Sequence, residues 1–262
     1  MDGSLDALAR LRDLQGTAEM DPRNLLWSQL PDLERKVDRQ VLTEARVFTL
    51  VGTREAAPYD LLRTKVLQLC RTNGWKRLAV VSASPAEGKS LTSLNLAFSM
   101  ARQSELRIML YDADLRRPAC APRVGLPEAG NLGSVLRHEV PFEDHAVRFG
   151  DNLILALNGR PQAAASELLQ STRTETLITA VEAAYRPDVT VFDMPPLGAA
   201  DDTHGFLRHV DAALIVIAAE ETPLKKLDII ERQVAALTNV AGIVLNKCKY
   251  ADDLYGMDYG YY

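Results

Sequence analysis

The residues with the clearest chemical potential form the loop Ala83-Ser84-Pro85-Ala86-Glu87-Gly88-Lys89-Ser90. Between an apolar strand and a helix, such a loop turns its backbone N–H groups inward, where phosphate oxygens can accept them. Gly88 lets the backbone approach closely. Lys89 supplies an ammonium for the β- and γ-phosphates, and the Ser90 hydroxyl is a ligand for Mg2+. Pro85, Ala86, Glu87 and Leu91 complete the candidate cofactor-binding run. Ala83 stands where such loops carry their first glycine.

Two further segments carry carboxylates that a metal nucleotide requires. The run 108–111 is followed by Asp112-Ala113-Asp114-Leu115-Arg116-Arg117, and the run 189–192 by Asp193-Met194-Pro195-Pro196. Both place aspartates where an apolar strand ends, on the edge where the phosphate loop must also lie. Asp112 and Asp193 are therefore candidates to hold Mg2+ or its waters. A helix N-cap or a turn would use either residue equally well. Loop and carboxylates together predict binding of Mg·ATP or Mg·GTP.

The elements that must position these residues are readable from periodicity. Residues 77–82, 107–112, 152–157, 189–193, 212–218 and 241–245 read as short buried strands. Residues 59–70, 90–102, 172–185, 202–209 and 224–237 read as helices. The alternation predicts an α/β fold with a mainly parallel sheet covered by helices on both faces. Right-handed crossovers then put all the strand carboxyl ends on one edge, where ligands bind. No Gly-x-Gly-x-x-Gly follows the first strand, which argues against a dinucleotide enzyme.

The chain has 262 residues and a net charge of −5, with 47% hydrophobic and 25% charged residues. These values fit a globular domain and exclude wholesale disorder. The acidic balance gives no footprint for nucleic acid. No apolar run approaches the ~20 residues of a membrane span, and the start Met1-Asp2-Gly3-Ser4 does not read as a signal peptide. A cytoplasmic location is expected. Cys70, Cys120 and Cys248 form neither a disulfide framework nor a zinc pattern. Cys248 is expected to be a buried thiol, and His138, His145, His204 and His209 to be surface or satisfied groups.

Three domains follow: an N-terminal arm over 1–55, the nucleotide domain over 56–249, and a tail over 250–262. Leu5, Leu8, Leu11 and Leu14 predict one short amphipathic helix in the arm. The arm could pack on its own domain or dock another protein. The tail reads Tyr250-Ala-Asp-Asp-Leu-Tyr255-Gly-Met-Asp-Tyr259-Gly-Tyr261-Tyr262 and holds five of the eight tyrosines. It has no helical or strand period and is expected to be mobile.

With these motifs in place, the sequence resembles the bacterial protein-tyrosine kinases, P-loop proteins related to the partition ATPases. The resemblance covers roughly residues 55–262. It rests on residues 82–90, the Asp-Ala-Asp-Leu-Arg-Arg-Pro run at 112–118, Asp193-Met-Pro-Pro, Ser166-Glu167-Leu168-Leu169, Gly242-Ile243-Val244-Leu245-Asn246 and the terminal tyrosines. The wording is closest to exopolysaccharide-associated tyrosine autokinases, some of which travel with exosortase systems. The resemblance implies ATP as phosphate donor with Mg2+ as cofactor. It implies that Lys89 stabilises charge on the transferred phosphoryl group and that Ser90, Asp112 and Asp193 attend the metal. Asp112 would take the tyrosine proton, with Asp114 in support. Asn246 would read the adenine, and Arg116 is a candidate phosphate or tail contact. Tyr250, Tyr255, Tyr259, Tyr261 and Tyr262 would be the acceptors. It further implies a membrane-anchored chain-length or co-polymerase adaptor that recruits the protein to the inner face of the membrane. A cognate phosphotyrosine phosphatase and self-assembly through tail docking complete the implied partners.

The sequence departs from this family in three places. A Glu-x-x-Arg-x-x-Arg motif used for ring assembly aligns with Ala57, Asp60 and Arg63, so only Arg63 remains. Ala86 replaces a common loop glycine, and Leu91 replaces the usual threonine. Two rival readings are a partition-type ATPase, which would usually carry a lysine where Ser84 stands, and a nucleotide-dependent switch or scaffold without kinase activity.

Overall fold

Alternating residues of each central strand enter two different cores, and this alternation builds the sheet. In β1 (Arg77–Ser82), Ala79 and Val81 face one core while Leu78 and Val80 face the other. β6 (Ala212–Ala218) divides in the same way, with Ala213, Ile215 and Ile217 opposite Ala212, Leu214 and Val216. Continuous apolar runs of this kind suit a parallel sheet buried on both faces. The computed structural model describes residues 22–249 except Glu128 and Ala200. The expected helix over 5–14 and the tyrosine-rich tail lie outside the described residues.

The other strands are β2 (Ile108–Asp112), β3 (Val147–Phe149), β4 (Leu153–Ala156), β5 (Val189–Asp193) and β7 (Asn239–Asn246). Their order is β3-β4-β2-β5-β1-β6-β7, and every pair is parallel except β3 with β4. β3 escaped the sequence reading. Three residues are too few to show a period, and the strand exists only by pairing with β4.

Helices in chain order are α1 (Pro22–Gln29), α2 (Arg39–Glu44), α3 (Ala57–Asn73), α4 (Lys89–Ala101), α5 (Cys120–Arg123), α6 (Leu132–Leu136), α7 (Phe142–His145), α8 (Ala165–Leu169), α9 (Thr172–Tyr185), α10 (Asp202–Phe206) and α11 (Leu224–Ala235). α3 and α4 cover one face through Val66, Leu67, Leu94 and Phe98. α9 and α11 cover the other through Ile178, Val181, Ile230 and Val234. The expected helix over 202–209 is α10 followed by a 3-10 turn, Leu207–His209. None of the described helices is long and apolar enough to cross a membrane.

Residues 22–50 are packed onto this domain. Trp27 is buried in one core, and Leu33, Leu42 and Val47 are buried in the other. The segment crosses between them at the β3 edge. There Leu33 N donates to Arg148 O at 2.8 Å, and Arg148 N donates to Pro31 O at 2.9 Å. The Arg148 guanidinium also lies 3.2 Å from Asp32. The segment thus covers backbone groups that an open sheet edge would leave unpaired. Trp27 donates its Nε1 hydrogen to Tyr185 O at 2.9 Å, and Arg107 lies 5.1 Å above its ring.

Trp27→Ala should therefore destabilise the whole domain, by roughly 3–5 kcal/mol. Urea unfolding would show this as a lower midpoint in a single transition. A separate early transition would mean that residues 22–50 are an appendage.

Candidate active site

The site grows from the carboxyl ends of three neighbouring strands. Asp112 of β2 pairs in register with Asp193 of β5, and Val80 of β1 pairs with Asp193 on the other side. Paired parallel strands lie about 4.8 Å apart, so two carboxylates are forced together beside the loop that follows β1. Both residues are fully buried.

Contacts from distant segments shape that loop. Glu87 is buried and has both oxygens engaged. Oε2 accepts from Ser84 N at 2.8 Å, and Oε1 accepts from the Thr222 hydroxyl at 2.6 Å. Asn246, at the end of β7, donates Nδ2 to the Glu87 carbonyl at 2.9 Å. Gly88 begins α4 at φ +99°, where a Cβ would lie 1.9 Å from Asn246 Nδ2. A side chain there would displace the Asn246 amide from the loop, and the left-handed φ itself favours glycine. Ala86 takes a left-handed φ of +65° at the exposed crest beside Pro85, which a glycine would adopt without strain. The Lys226 ammonium, from the first turn of α11, hydrogen-bonds the Ser84 hydroxyl. Leu91 is partly buried and packs against the core that α3 and α4 cover.

Lys89 is buried among carboxylates. Its Nζ donates to Asp114 Oδ2 at 2.7 Å, lies 3.7 Å from Asp193 Oδ2 and donates to Ser90 Oγ at 3.3 Å. Burial alone would push its pKa down. The charges of Asp193 and Asp114 outweigh that, so the ammonium is held above its ordinary range and stays protonated. Asp193 Oδ1 accepts from the Ser93 hydroxyl at 3.1 Å. Asp114 Oδ1 accepts from Arg117 N at 3.0 Å.

Asp112 is the strained member. Its Oδ2 accepts from the backbone N–H groups of Ala119 and Cys120 at 3.2 and 3.0 Å. Its Oδ1 is buried without a hydrogen-bond partner. Burial, then the charge of Asp193, raises the Asp112 pKa well above the ordinary carboxylate range. Cys120 joins the pair, with Sγ 3.5 Å from Asp193 Oδ2. Two adjacent buried aspartates with an unpartnered oxygen have the donor chemistry to hold a divalent cation.

The structure thus brings Lys89, Ser90, Asp112, Asp114 and Asp193 together, with Glu87, Gly88 and Asn246 around the loop. Arg116 stands apart from Lys89 in its bonding. It forms a bidentate pair with buried Asp202, at 2.7 and 3.0 Å. Asp60 and Arg63 are engaged within the chain, where Asp60 Oδ1 accepts from Arg63, Arg102 and Ser99. Cys248 is half-buried, more open than expected. Tyr250, Tyr255, Tyr259, Tyr261 and Tyr262 lie outside the described residues. Sequence reading did not anticipate Ser93, Cys120, Thr222, Asp202 or Lys226 at the site. For Lys226 alone there was a signal, the absence of a lysine at position 84.

Neutralising Asp112 should stabilise the nucleotide-free fold. Asp112→Asn keeps the acceptor for Ala119 and Cys120 and removes the repulsion with Asp193. A gain of about 1–3 kcal/mol at neutral pH is expected. A raised pKa destabilises only above the unfolded value, so the gain should shrink as pH falls toward about 3.9. Paired urea titrations of the two proteins across pH measure it.

No protein-family model matches the chain. It is 29% identical over 206 residues to the tyrosine-protein kinase YwqD of Bacillus subtilis (strain 168), covering 78% of this chain and 84% of YwqD. It is 30% identical over 190 residues to the succinoglycan biosynthesis transport protein ExoP of Rhizobium meliloti (strain 1021), covering 67% of this chain and 23% of ExoP. Among solved structures, the VpsO kinase domain matches with a TM-score of 0.66 and 26% identity, over 74% of this chain and 94% of that one. The septum site-determining protein MinD of Pyrococcus horikoshii OT3, complexed with Mg-ADP, shares the fold alone. Its TM-score is 0.54 and its identity 16%, over 65% of this chain and 69% of that one.

Proposed function

The chain belongs to the bacterial tyrosine-protein kinase family, and from that premise we propose that it transfers the γ-phosphoryl group of ATP to tyrosines of its own C-terminal cluster. The observation that carries this reading is where the chain leaves the fold. β7 ends at Asn246 with its side chain on the phosphate loop, so the tail starts at the active-site edge. The thirteen residues 250–262 span up to roughly 43 Å when extended, enough for a neighbour's site.

In this reading each residue has a distinct task. Backbone N–H groups of residues 86–90 cradle the phosphates. Lys89 exchanges Asp114 for the γ-phosphate and offsets charge as it is transferred. Ser90, Asp112 and Asp193 would hold Mg2+, which supplies charge neutralisation of the phosphates when bound. A free tyrosine, with a pKa of about 10, is a poor nucleophile at neutral pH. Asp112 takes its proton as the phenol oxygen bonds to phosphorus and the bond to ADP breaks. The carboxylate oxygens of Asp112, at the end of β2 beside Asp193, are where a proton from the phenol would be received in this reading. Asn246, beside Gly88, is placed in this reading at the adenine. Arg116, exposed and oriented by Asp202, faces the incoming tail.

The relatives support a setting in polysaccharide synthesis or export. ExoP is a biosynthesis transport protein far longer than the matched region. A separate membrane-anchored co-polymerase adaptor would here do what the rest of a longer chain does there, recruiting the protein to the cytoplasmic face of the membrane. Each phosphorylated tyrosine adds about −1.5 to −2 charge, which drives the acidic tail out of a neighbour's site until a phosphotyrosine phosphatase resets it. The internal network of Asp60, Arg63, Ser99 and Arg102 leaves no motif for ring assembly through α3.

Intact mass after incubation with Mg·ATP and the adaptor's cytoplasmic segment tests the reading. Successive phosphate additions are expected for wild type, and none for Lys89→Met or a chain ending at Lys249. An unmodified wild type would overturn autokinase activity in favour of a nucleotide switch. Lys226→Met should weaken binding of a fluorescent ATP analogue several-fold, about 1 kcal/mol. Adding Ser84→Lys should restore it by placing the cation on the loop itself.

A further inference from the structure

Asp112, Cys120 and Asp193 bring two carboxylates and a thiol together in the interior. One ligand atom from each lies within 4.8 Å of the others, and all three residues are buried. The Cys120 Sγ to Asp193 Oδ2 distance is 3.5 Å. Tetrahedral zinc, with Zn–S of about 2.3 Å and Zn–O of about 2.0–2.2 Å, needs its sulfur and oxygen ligands about 3.5 Å apart. The pair is already at that spacing, and Asp112 needs only to close in. An independent observation at the same place calls for a ligand. Asp112 Oδ1 is buried with no hydrogen-bond partner, while Oδ2 is occupied by two backbone N–H groups. A buried carboxylate oxygen without a donor is costly, and a cation satisfies it.

We propose that Cys120, Asp112 and Asp193 form a site for a thiophilic divalent cation of the Zn2+ class, which competes with Mg2+ for the two carboxylates. This rests on the reading of Asp112 and Asp193 as metal-holding residues and adds a third, soft ligand to them. Mg2+ takes oxygen ligands and gains nothing from sulfur. Zn2+ takes thiolate readily, and the Cys120 proton leaves to solvent as the metal–sulfur bond forms. The three cysteines are too far apart in sequence to suggest zinc, yet the turn from β2 into α5 carries one of them to the carboxylates. A soft cation seated there occupies both Asp112 and Asp193, so it blocks proton acceptance and metal holding together. Kinase activity then falls as soft-metal concentration rises, and Mg·ATP opposes that fall.

Titration of the nucleotide-free, full-length protein with Co2+, followed by absorbance, tests the proposal. A near-ultraviolet thiolate-to-cobalt charge-transfer band should saturate at one cobalt per chain and be displaced by Zn2+. Cys120→Ser should abolish it. The Cys70→Ser/Cys248→Ser double variant, in which Cys120 is the last thiol, should keep it even if Cys120→Ser folds poorly. A band that survives Cys120→Ser, or disappears in the double variant, overturns the proposal. Cobalt bound with an oxygen-only spectrum that Asp112→Asn removes also overturns it, while leaving the carboxylate reading intact. No cobalt binding at all overturns it too, and leaves the reading of Asp112 and Asp193 as holders of Mg2+ in the nucleotide complex to the intact-mass test.

Discussion

One buried ammonium holds the site together. Lys89 lies within reach of Asp114 and Asp193, and Asp112 is beside them without a cation of its own. Burying carboxylates is tolerable only when charge and hydrogen bonds compensate them. Lys89 contacts Asp114 and Asp193; its charge also favours ionised Asp112, but burial and the charge of Asp193 outweigh it there. A phosphate that draws Lys89 away from Asp114 would leave more negative charge uncompensated in the interior. In the proposed function, nucleotide and divalent cation would therefore be coupled electrostatically, each offsetting charge that the other leaves exposed. In the same arrangement, the residue proposed as the base is the one whose neutralisation is expected to stabilise the fold.

The phosphate loop is built from outside as much as from within. Glu87 ties Ser84 to Thr222, Asn246 reaches Glu87 from β7, and Lys226 reaches Ser84 from α11. The β6–α11 connection and the last strand are thus physically part of the loop. Asn246, the last residue of β7, sits against Gly88, where a Cβ would meet its amide. The end of the last strand is therefore in direct contact with the loop.

Much of this was legible in the sequence because it is local. Six strands declared themselves as short apolar runs, and the Gly88-Lys89-Ser90 core between β1 and α4 could be placed without coordinates. Asp112 and Asp193 could be set on one edge because parallel crossovers leave no alternative. What stayed hidden depends on pairing at long range. β3 exists only through β4. Cys120 reaches Asp193 across 73 positions, and Lys226 reaches Ser84 across 142. A residue type says nothing about such meetings until the sheet order is known. The zinc-like spacing was invisible for that reason, since two of its three donors are aspartates already read as Mg2+ ligands.

Lys226 also changes how the rival readings are weighed. The missing lysine at position 84 had counted against a partition-type ATPase. With a lysine delivered to Ser84 from α11, the electrostatics at the loop's first residues no longer separate the two. The fold cannot separate them either, because MinD shares it. The sequence that follows β7 does bear on the choice. Five tyrosines follow a strand whose last side chain rests on the phosphate loop. A hydrolase has no use for such a cluster of phenols. The proposed kinase, with a second copy of itself as substrate, would use one, on a tether of thirteen residues that spans up to roughly 43 Å.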